Sequence, residues 1–296
     1  MNQRAQIRML PDGRRLHMQD GPIEVIVEAF GETREVELAY RAAADRFVSI
    51  LDELCGELAF LRCVAGVDLP SGAVARRMVA AVLPYASQTF ITPMAAVAGA
   101  VAEEILEAMT AAAELSRAYV NDGGDIALHL VPGEKLVVGM VERPDRASLF
   151  GTTVIHSGDP IRGIATSGWR GRRFSLGIAD AVTVLADTAA VADAAATIIA
   201  NAVDLPSHPR VTRIPARDLA PDSDLGERLV TQSVGKLAAN DICDALEAGI
   251  RVAQSLRNSR LIRAAALNLQ GETRLVGGQE GSQLVDISAD RGFAHA

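Results

Sequence analysis

Asp193 and Thr197 stand four residues apart within residues 189–203, a stretch otherwise built of Ala, Ile, Val and one Asn. On a helix that spacing brings their Cβ atoms to about 5–6 Å on one face. A carboxylate and a hydroxyl are hard oxygen donors, suited to a cation such as Mg²⁺ that keeps several of its waters. The competing reading leaves both oxygens to backbone or solvent, with Thr197 bonding back to the preceding turn. Two other stretches carry chemistry. Asn121-Asp122-Gly123-Gly124-Asp125 lies between apolar segments. Its paired glycines permit positive φ and close approach of a ligand to backbone, or simply a tight connection from helix to strand. Residues 165–177, ATSGWRGRRFSLG, combine small, hydroxyl and cationic side chains. They suit a phosphate held by backbone N–H groups and by Arg172 or Arg173, or else an exposed, solvated arginine loop.

The elements that must position these groups follow from pattern. Residues 181–187 form an apolar run with β-branched members, expected as a buried strand, after which Asp187 and Thr188 offer capping oxygens to an Ala-rich helix. Thr92 is the expected N-cap, and Pro93 the first residue, of a second small-residue helix reaching to about Leu115. Residues 1–22 read as an extended lead-in. Residues 23–30 alternate as a strand, and 35–40 are expected to pair back on it. Helices are expected over 42–62, 74–83 and 236–256, the last with Leu237, Ile242, Leu246 and Ile250 inward. Further along, 126–130 and 135–141 suggest a hairpin across Pro132-Gly133-Glu134. Short strands are expected at 152–156 and 163–166, a surface connection at 205–224, and a hairpin closing on Gln270-Gly271. From residue 277 the composition turns polar and Gly-rich, the pattern of a disordered tail.

The chain has 296 residues, enough for one large or two intimate domains. A net charge of −8 argues against general affinity for nucleic acid or anionic membrane. Cys55, Cys63 and Cys243 form no CxxC pair, and the first two read as small apolar residues on or near one helix. No apolar run reaches membrane-spanning length and the amino terminus lacks a signal-like core, so a cytoplasmic location is expected. Two Ala-rich helices, each beside a strand-rich segment, suggest two related halves of an α+β fold with largely antiparallel sheets and flanking helices.

Four segments, TPMAAVAGAVAE (92–103), YVNDGGDIAL (119–128), ATSGWRGRRFSLG (165–177) and ADAVTVLADTAAVADAAATIIANAV (179–203), resemble in order and interval the UPF0280 family of the ApbE-like superfamily. The resemblance covers residues 20–276 for UPF0280, and only these motifs for ApbE itself. It implies a duplicated T-fold-like architecture over residues 23–276, with FAD and Mg²⁺ between two intimate halves. It also implies transfer of FMN from FAD to a threonine hydroxyl of a target protein, or hydrolysis of FAD. By position, Asp193 and Thr197 match the family's D-x-x-x-T metal motif and Ala95 its carbonyl ligand, although Thr92-Pro93-Met94 replaces the usual acidic-Leu-Gly lead. The nucleotide is expected against Met94, Ala95, Asn121, Gly123, Gly124, Asp125, Thr166, Ser167, Gly168, Arg172 and Arg173, with Asp193 and Arg172 as the catalytic pair. The His-Ile-Ile-Asp-Pro segment of ApbE transferases is missing, and Arg172 stands where many UPF0280 members have His. His129 and His156 are the substitutes at hand. The alternative is a non-catalytic module that keeps the fold and binds an aromatic or pterin-like ligand or a partner protein. Under either reading a homodimer is one expected assembly.

Overall fold

The computed structural model describes residues 4–66, 68–143, 146–277 and 285–286. The chain divides into two compact units. The first comprises Met1–Glu134, Pro160–Ala165 and Leu185–Ala194; the second comprises Lys135–Asp159, Thr166–Val184 and Ala195–Ala296.

The first unit opens with β1 (Gln6–Met9), β2 (Leu16–Asp20) and β3 (Ile23–Phe30), paired antiparallel in sequence order. The stretch expected as a lead-in is therefore extended but hydrogen-bonded into a sheet. Asp12 Oδ1 makes its first turn by accepting the N–H groups of Arg14 and Arg15 at 2.9 and 3.0 Å. Alternation in β3 buries Ile23, Val25 and Val27 on one face.

Residues 35–40 do not return as a strand. They belong to α1 (Thr33–Gly56), whose buried Ala39, Ala43, Phe47, Ile50 and Leu54 recur at helical intervals. The expected helix over 42–62 is broken after Gly56, and a single turn, α2 (Leu58–Leu61), follows. Cys55 and Cys63 are solvent-exposed rather than apolar filler. Helix α3 (Ala73–Ala86) comes next, then a 3₁₀ turn (Pro93–Ala96) that leads into α4 (Val97–Ala112). Thr92 precedes this turn in extended backbone but makes no side-chain cap bond, and α4 ends short of Leu115.

Next, β4 (Arg117–Asp122) and β5 (Asp125–Leu130) complete this unit's own antiparallel strands, β4 lying between β3 and β5. The expected pairing of β5 with residues 135–141 does not form. In the second unit β6 (Lys135–Arg143) pairs with β7 (Arg146–His156), while β5 accepts β8 (Gly163–Ser167) through Ile126↔Ile164. Pro132-Gly133 turns the chain away after β5, so adjacency in sequence misidentified the partner.

The division between units falls within β8, β9 (Ala181–Ala186) and α5 (Ala189–Ala202). The second unit continues with β10 (Val211–Pro215), α6 (Ala216–Leu219), β11 (Leu229–Val234), α7 (Ala239–Asn258), β12 (Ala264–Leu269) and β13 (Glu272–Val276). The expected loop over 205–224 thus holds a strand and a helical turn, since β10 pairs antiparallel with β11. The closing hairpin forms as expected, with Gln270 and Gly271 at φ of 49° and 87°. Helix α7 buries Ile242, Ala245, Leu246, Gly249 and Ala253 and packs on β12 and β13; Ile250 is only half-buried. Strands β9 and β12 are buried at every position, which accounts for their largely apolar runs, with Thr183 and Asn268 the polar members. In the stretch expected as a disordered tail, Val285–Asp286 pairs with Gly151 and Thr152 of β7; residues 278–284 and 287–296 lie outside the described residues. The fold is thus mixed helix and strand with largely antiparallel sheets. Among the described residues no helix is long and apolar enough to cross a membrane.

Candidate functional site

Helix α5 carries both Asp193 and Thr197, as the spacing required. Its start is capped by Thr188, whose Oγ1 accepts the Val191 N–H at 3.4 Å. Asp193 is 2% exposed. Its Oδ2 accepts the Gly99 N–H of α4 at 3.1 Å. One turn further along α4, Glu103 Oε1 accepts the Ala190 N–H in the first turn of α5 at 2.7 Å. Each helix therefore supplies a carboxylate to the other's N-terminus, where unpaired N–H groups and the helix dipole favour negative charge. This exchange explains how a carboxylate is tolerated at the apolar position 193. It needs a glycine at 99: an added Cβ would lie 2.3 Å from the Ala189 carbonyl oxygen. Thr197 is half-buried, and its hydroxyl has no hydrogen-bond partner among the described residues, so the expected back-bond to the preceding turn is not made.

Asn121-Asp122-Gly123-Gly124-Asp125 connects two strands rather than a helix and a strand. Gly123 and Gly124, at φ of 65° and 113°, are the two central residues of the β4–β5 hairpin turn, closed by Asp122↔Asp125. Asn121 Oδ1 accepts the Gly124 N–H at 2.8 Å, which pins the turn. The space beside Gly124 is open, since a Cβ there would meet nothing within 4 Å. Asp125 is buried, and Met94 and Ala95 are half-buried in the 3₁₀ turn before α4.

The loop from Ser167 to Asp180 is anchored by a residue that the sequence reading passed over. Asp180 is 4% exposed. Its Oδ1 accepts the Trp169 indole N–H at 3.1 Å and the Arg170 Nε–H at 2.5 Å, and its Oδ2 accepts the Gln270 N–H at 2.6 Å. The Arg170 guanidinium also lies 4.3 Å from the centroid of the Trp169 ring. Gly168 packs so closely that a Cβ would sit 2.5 Å from the Asp180 carbonyl oxygen. Thr166 and Thr183 share a hydroxyl hydrogen bond of 2.9 Å across β8 and β9. At the loop's far end Asn201 Oδ1 accepts the Leu176 N–H at 2.9 Å. Arg172, Arg173 and Phe174 are exposed between these two anchors.

Of the expected residues, the first unit holds Met94, Ala95, Asn121, Gly123, Gly124, Asp125 and Asp193. The second holds Thr166, Ser167, Gly168, Arg172, Arg173 and Thr197. Of the two histidines named as substitutes, His129 Nε2 lies 3.1 Å from the Leu115 carbonyl oxygen, and His156 is an exposed strand end. No group of three or more His, Cys, Asp or Glu side chains able to hold a metal occurs among the described residues. The first unit also has a cleft of about 270 Å³, lined in part by Arg77, Glu103, His129, Arg162 and Thr188. None of the expected nucleotide-binding residues lines it. Glu103 and Asp180 carry no sequence signal of their own: Glu103 is one of two adjacent acids on a helix, and Asp180 one acid beside apolar neighbours.

The family model described as AbpE bacteria matches residues 7–275. The UPF0280 protein of Archaeoglobus fulgidus is 33% identical over 182 residues, 61% of this chain and 72% of that protein. The UPF0280 protein of Methanothrix thermoacetophila is 33% identical over 172 residues, covering 57% and 69% of the two chains. That of Methanothermobacter thermautotrophicus is 42% identical over 120 residues, but the match spans 39% of this chain and only 44% of the relative. Among solved structures, the apo flavinyl transferase ApbE of Pseudomonas stutzeri is similar at a TM-score of 0.47 and 11% identity, covering 92% of this chain and 93% of that one. The flavin transferase ApbE of Vibrio cholerae gives 0.44 and 12%, with 92% and 97% covered. The extent of the family match and the identity to the archaeal proteins establish that this chain belongs to the UPF0280/ApbE-like family.

Proposed function

We propose that this protein binds a flavin dinucleotide with Mg²⁺ and transfers its FMN part to a hydroxyl group, of a target protein or of water. Family membership supports the flavin. The observation that carries the metal is on α5: the Thr197 hydroxyl, without a partner among the described residues, one turn from the buried carboxylate of Asp193. An ionised carboxylate offers about four lone-pair positions, so the bond to Gly99 does not exhaust Asp193. A carboxylate, a hydroxyl and a carbonyl such as that of Ala95 form a hard oxygen set that fits Mg²⁺. Bound there, the ion supplies a Lewis acid for a pyrophosphate.

The chain's own residues account for the rest of this reading. The open face of Gly124 leaves room for a ligand against the backbone. Arg172 and Arg173 offer guanidinium groups to phosphate oxygens from a loop held by Asp180 at one end and Asn201 at the other. Transfer forms one bond from the acceptor oxygen to the FMN phosphorus and breaks the pyrophosphate bond, releasing AMP, while the acceptor's hydroxyl proton passes to the departing AMP phosphate or to solvent. The duplicated T-fold-like arrangement of two intimate halves is part of the same proposal.

The second reading is a binding module without transferase activity. It is favoured by Arg172 standing where a proton-transferring His is expected, and by the engagement of His129 with Leu115. Purified protein incubated with Mg²⁺ and FAD separates the two. Release of FMN, or its attachment to protein, abolished in Asp193→Ala, supports the enzyme. Saturable FAD binding without turnover supports the module; FAD binding indifferent to Mg²⁺ refutes the metal, and no FAD binding at all refutes the flavin.

A further inference from the structure

We infer that Glu103 and Arg77 are positioning residues for Asp193, holding the first turn of α5 so that its carboxylate keeps one orientation. The inference rests on the proposed metal site and names the side chains that set its affinity. Glu103 projects from α4 with both oxygens engaged. Oε1 accepts the Ala190 N–H at 2.7 Å, and Oε2 lies 3.4 Å from Arg77 Nη1. Arg77, on α3, also meets Glu104 at 3.3 Å, and Glu104 is bonded in turn by Arg46 of α1 at 2.8 Å. Three helices thus fix the rotamer of Glu103, and Glu103 fixes the end of a fourth.

Distance along the helix makes this consequential. Ala190 precedes Asp193 by three residues, less than one turn, so any fraying at Ala190 reaches the residue that bonds Gly99. The side chains of Glu103 and Arg77 are only 15% and 31% exposed, so the pair is partly screened from water and more than a surface ornament. The contact is also mutual. Loss of the Glu103 bond loosens α5, and a loosened α5 releases the Asp193 cap of α4. A carboxylate ligand's outer partners are worth about 10–100-fold in metal affinity when removed.

The test uses Mn²⁺ as a spectroscopic stand-in for Mg²⁺, titrated into the full chain and followed by electron paramagnetic resonance without any flavin. Glu103→Ala is expected to weaken Mn²⁺ binding about tenfold or more. Glu103→Gln keeps an oxygen for the Ala190 N–H, and is expected to stay within about threefold of the wild type, far less than loss of the outer partner costs. Far-ultraviolet circular dichroism verifies that each variant is folded. Wild-type affinity in Glu103→Ala overturns the inference, as does an equal loss in both folded variants. Should the wild type bind no Mn²⁺, the metal reading fails, and amide hydrogen exchange still decides the positioning role. The Gly99 N–H, bonded to Asp193, loses protection in Glu103→Ala and keeps it in Glu103→Gln. Unchanged protection of Gly99 in Glu103→Ala refutes the inference by itself.

Discussion

Replacing Gly99 by alanine sets two effects against each other, and their magnitudes decide the sign. In a helix interior alanine is better than glycine by roughly 0.5–1 kcal/mol, because it loses less backbone freedom on folding. Against this, the new Cβ would stand 2.3 Å from the Ala189 carbonyl oxygen, 2.5 Å from its carbon and 2.7 Å from Ala190 nitrogen. These atoms belong to backbone, not to the tip of a flexible side chain, and contact distance is roughly an ångström longer. The two helices must therefore part. Overpacking of this kind costs about 1–3 kcal/mol. Separation also stretches both carboxylate caps, Asp193 to Gly99 and Glu103 to Ala190, each worth about 1 kcal/mol. The net expectation is a loss of about 2–3 kcal/mol, or roughly 3–5 °C in melting temperature for a chain of this size. Calorimetry or a urea melt followed by circular dichroism measures it. Gly158→Ala, where a Cβ meets nothing within 4 Å, is the control and should be neutral. A Gly99→Ala protein as stable as the wild type, or more so, would refute the close approach of α4 and α5 and the exchange of caps built on it.

Two further outcomes follow from the same bonding. Asp180→Ala strands three donors, from Trp169, Arg170 and Gln270, and should cost about 3 kcal/mol. Because the chain has a single tryptophan, its emission reports on this loop alone; a shift to the red is expected, and an unshifted spectrum means that Asp180 does not hold the loop. The three tyrosines should all resist ionisation. Burial pushes the phenols of Tyr40 and Tyr85 up, and burial followed by the hydrogen bond to Glu28 pushes Tyr119 up to about 12. Since these folded values lie above the ordinary one near 10, the folded state binds more protons in alkali. The tyrosine contribution to stability is present below about pH 10 and lost as pH rises through about 12. Absorbance at the tyrosinate band should stay near zero at pH 10, and half-ionisation there in the folded protein would contradict the burial of these rings.

Much of the architecture could be read from local pattern, because pattern records which face of an element is covered. The alternation in residues 23–30, the largely apolar run at 181–186 and the Gln270-Gly271 turn each stand in the structure where period and turn chemistry put them. So does the α5 helix, with Thr188 as its cap. The misplaced elements have a common cause. Residues 35–40 alternate for a few positions but continue into a longer helical stripe, and a short window favours the wrong period. The strand over 135–141 was correct in type and wrong in partner, because pairing is decided by what the rest of the chain leaves free.

The candidate site divides in the same way. Residue types, spacing and order were enough to bring out Asp193, Thr197, the double glycine and the arginine loop, and to point to the family. They could not show that Asp193 caps the first turn of another helix, that Glu103 returns the favour, or that Asp180 ties the arginine loop to the β12–β13 turn. Gly99 and Asp193 are separated by 94 residues, and Asp180 and Gln270 by 90. A local pattern encodes the burial of an element and nothing about which distant backbone group will face a given carboxylate. That choice is made when the helices pack, because a buried carboxylate must find donors wherever the fold supplies them.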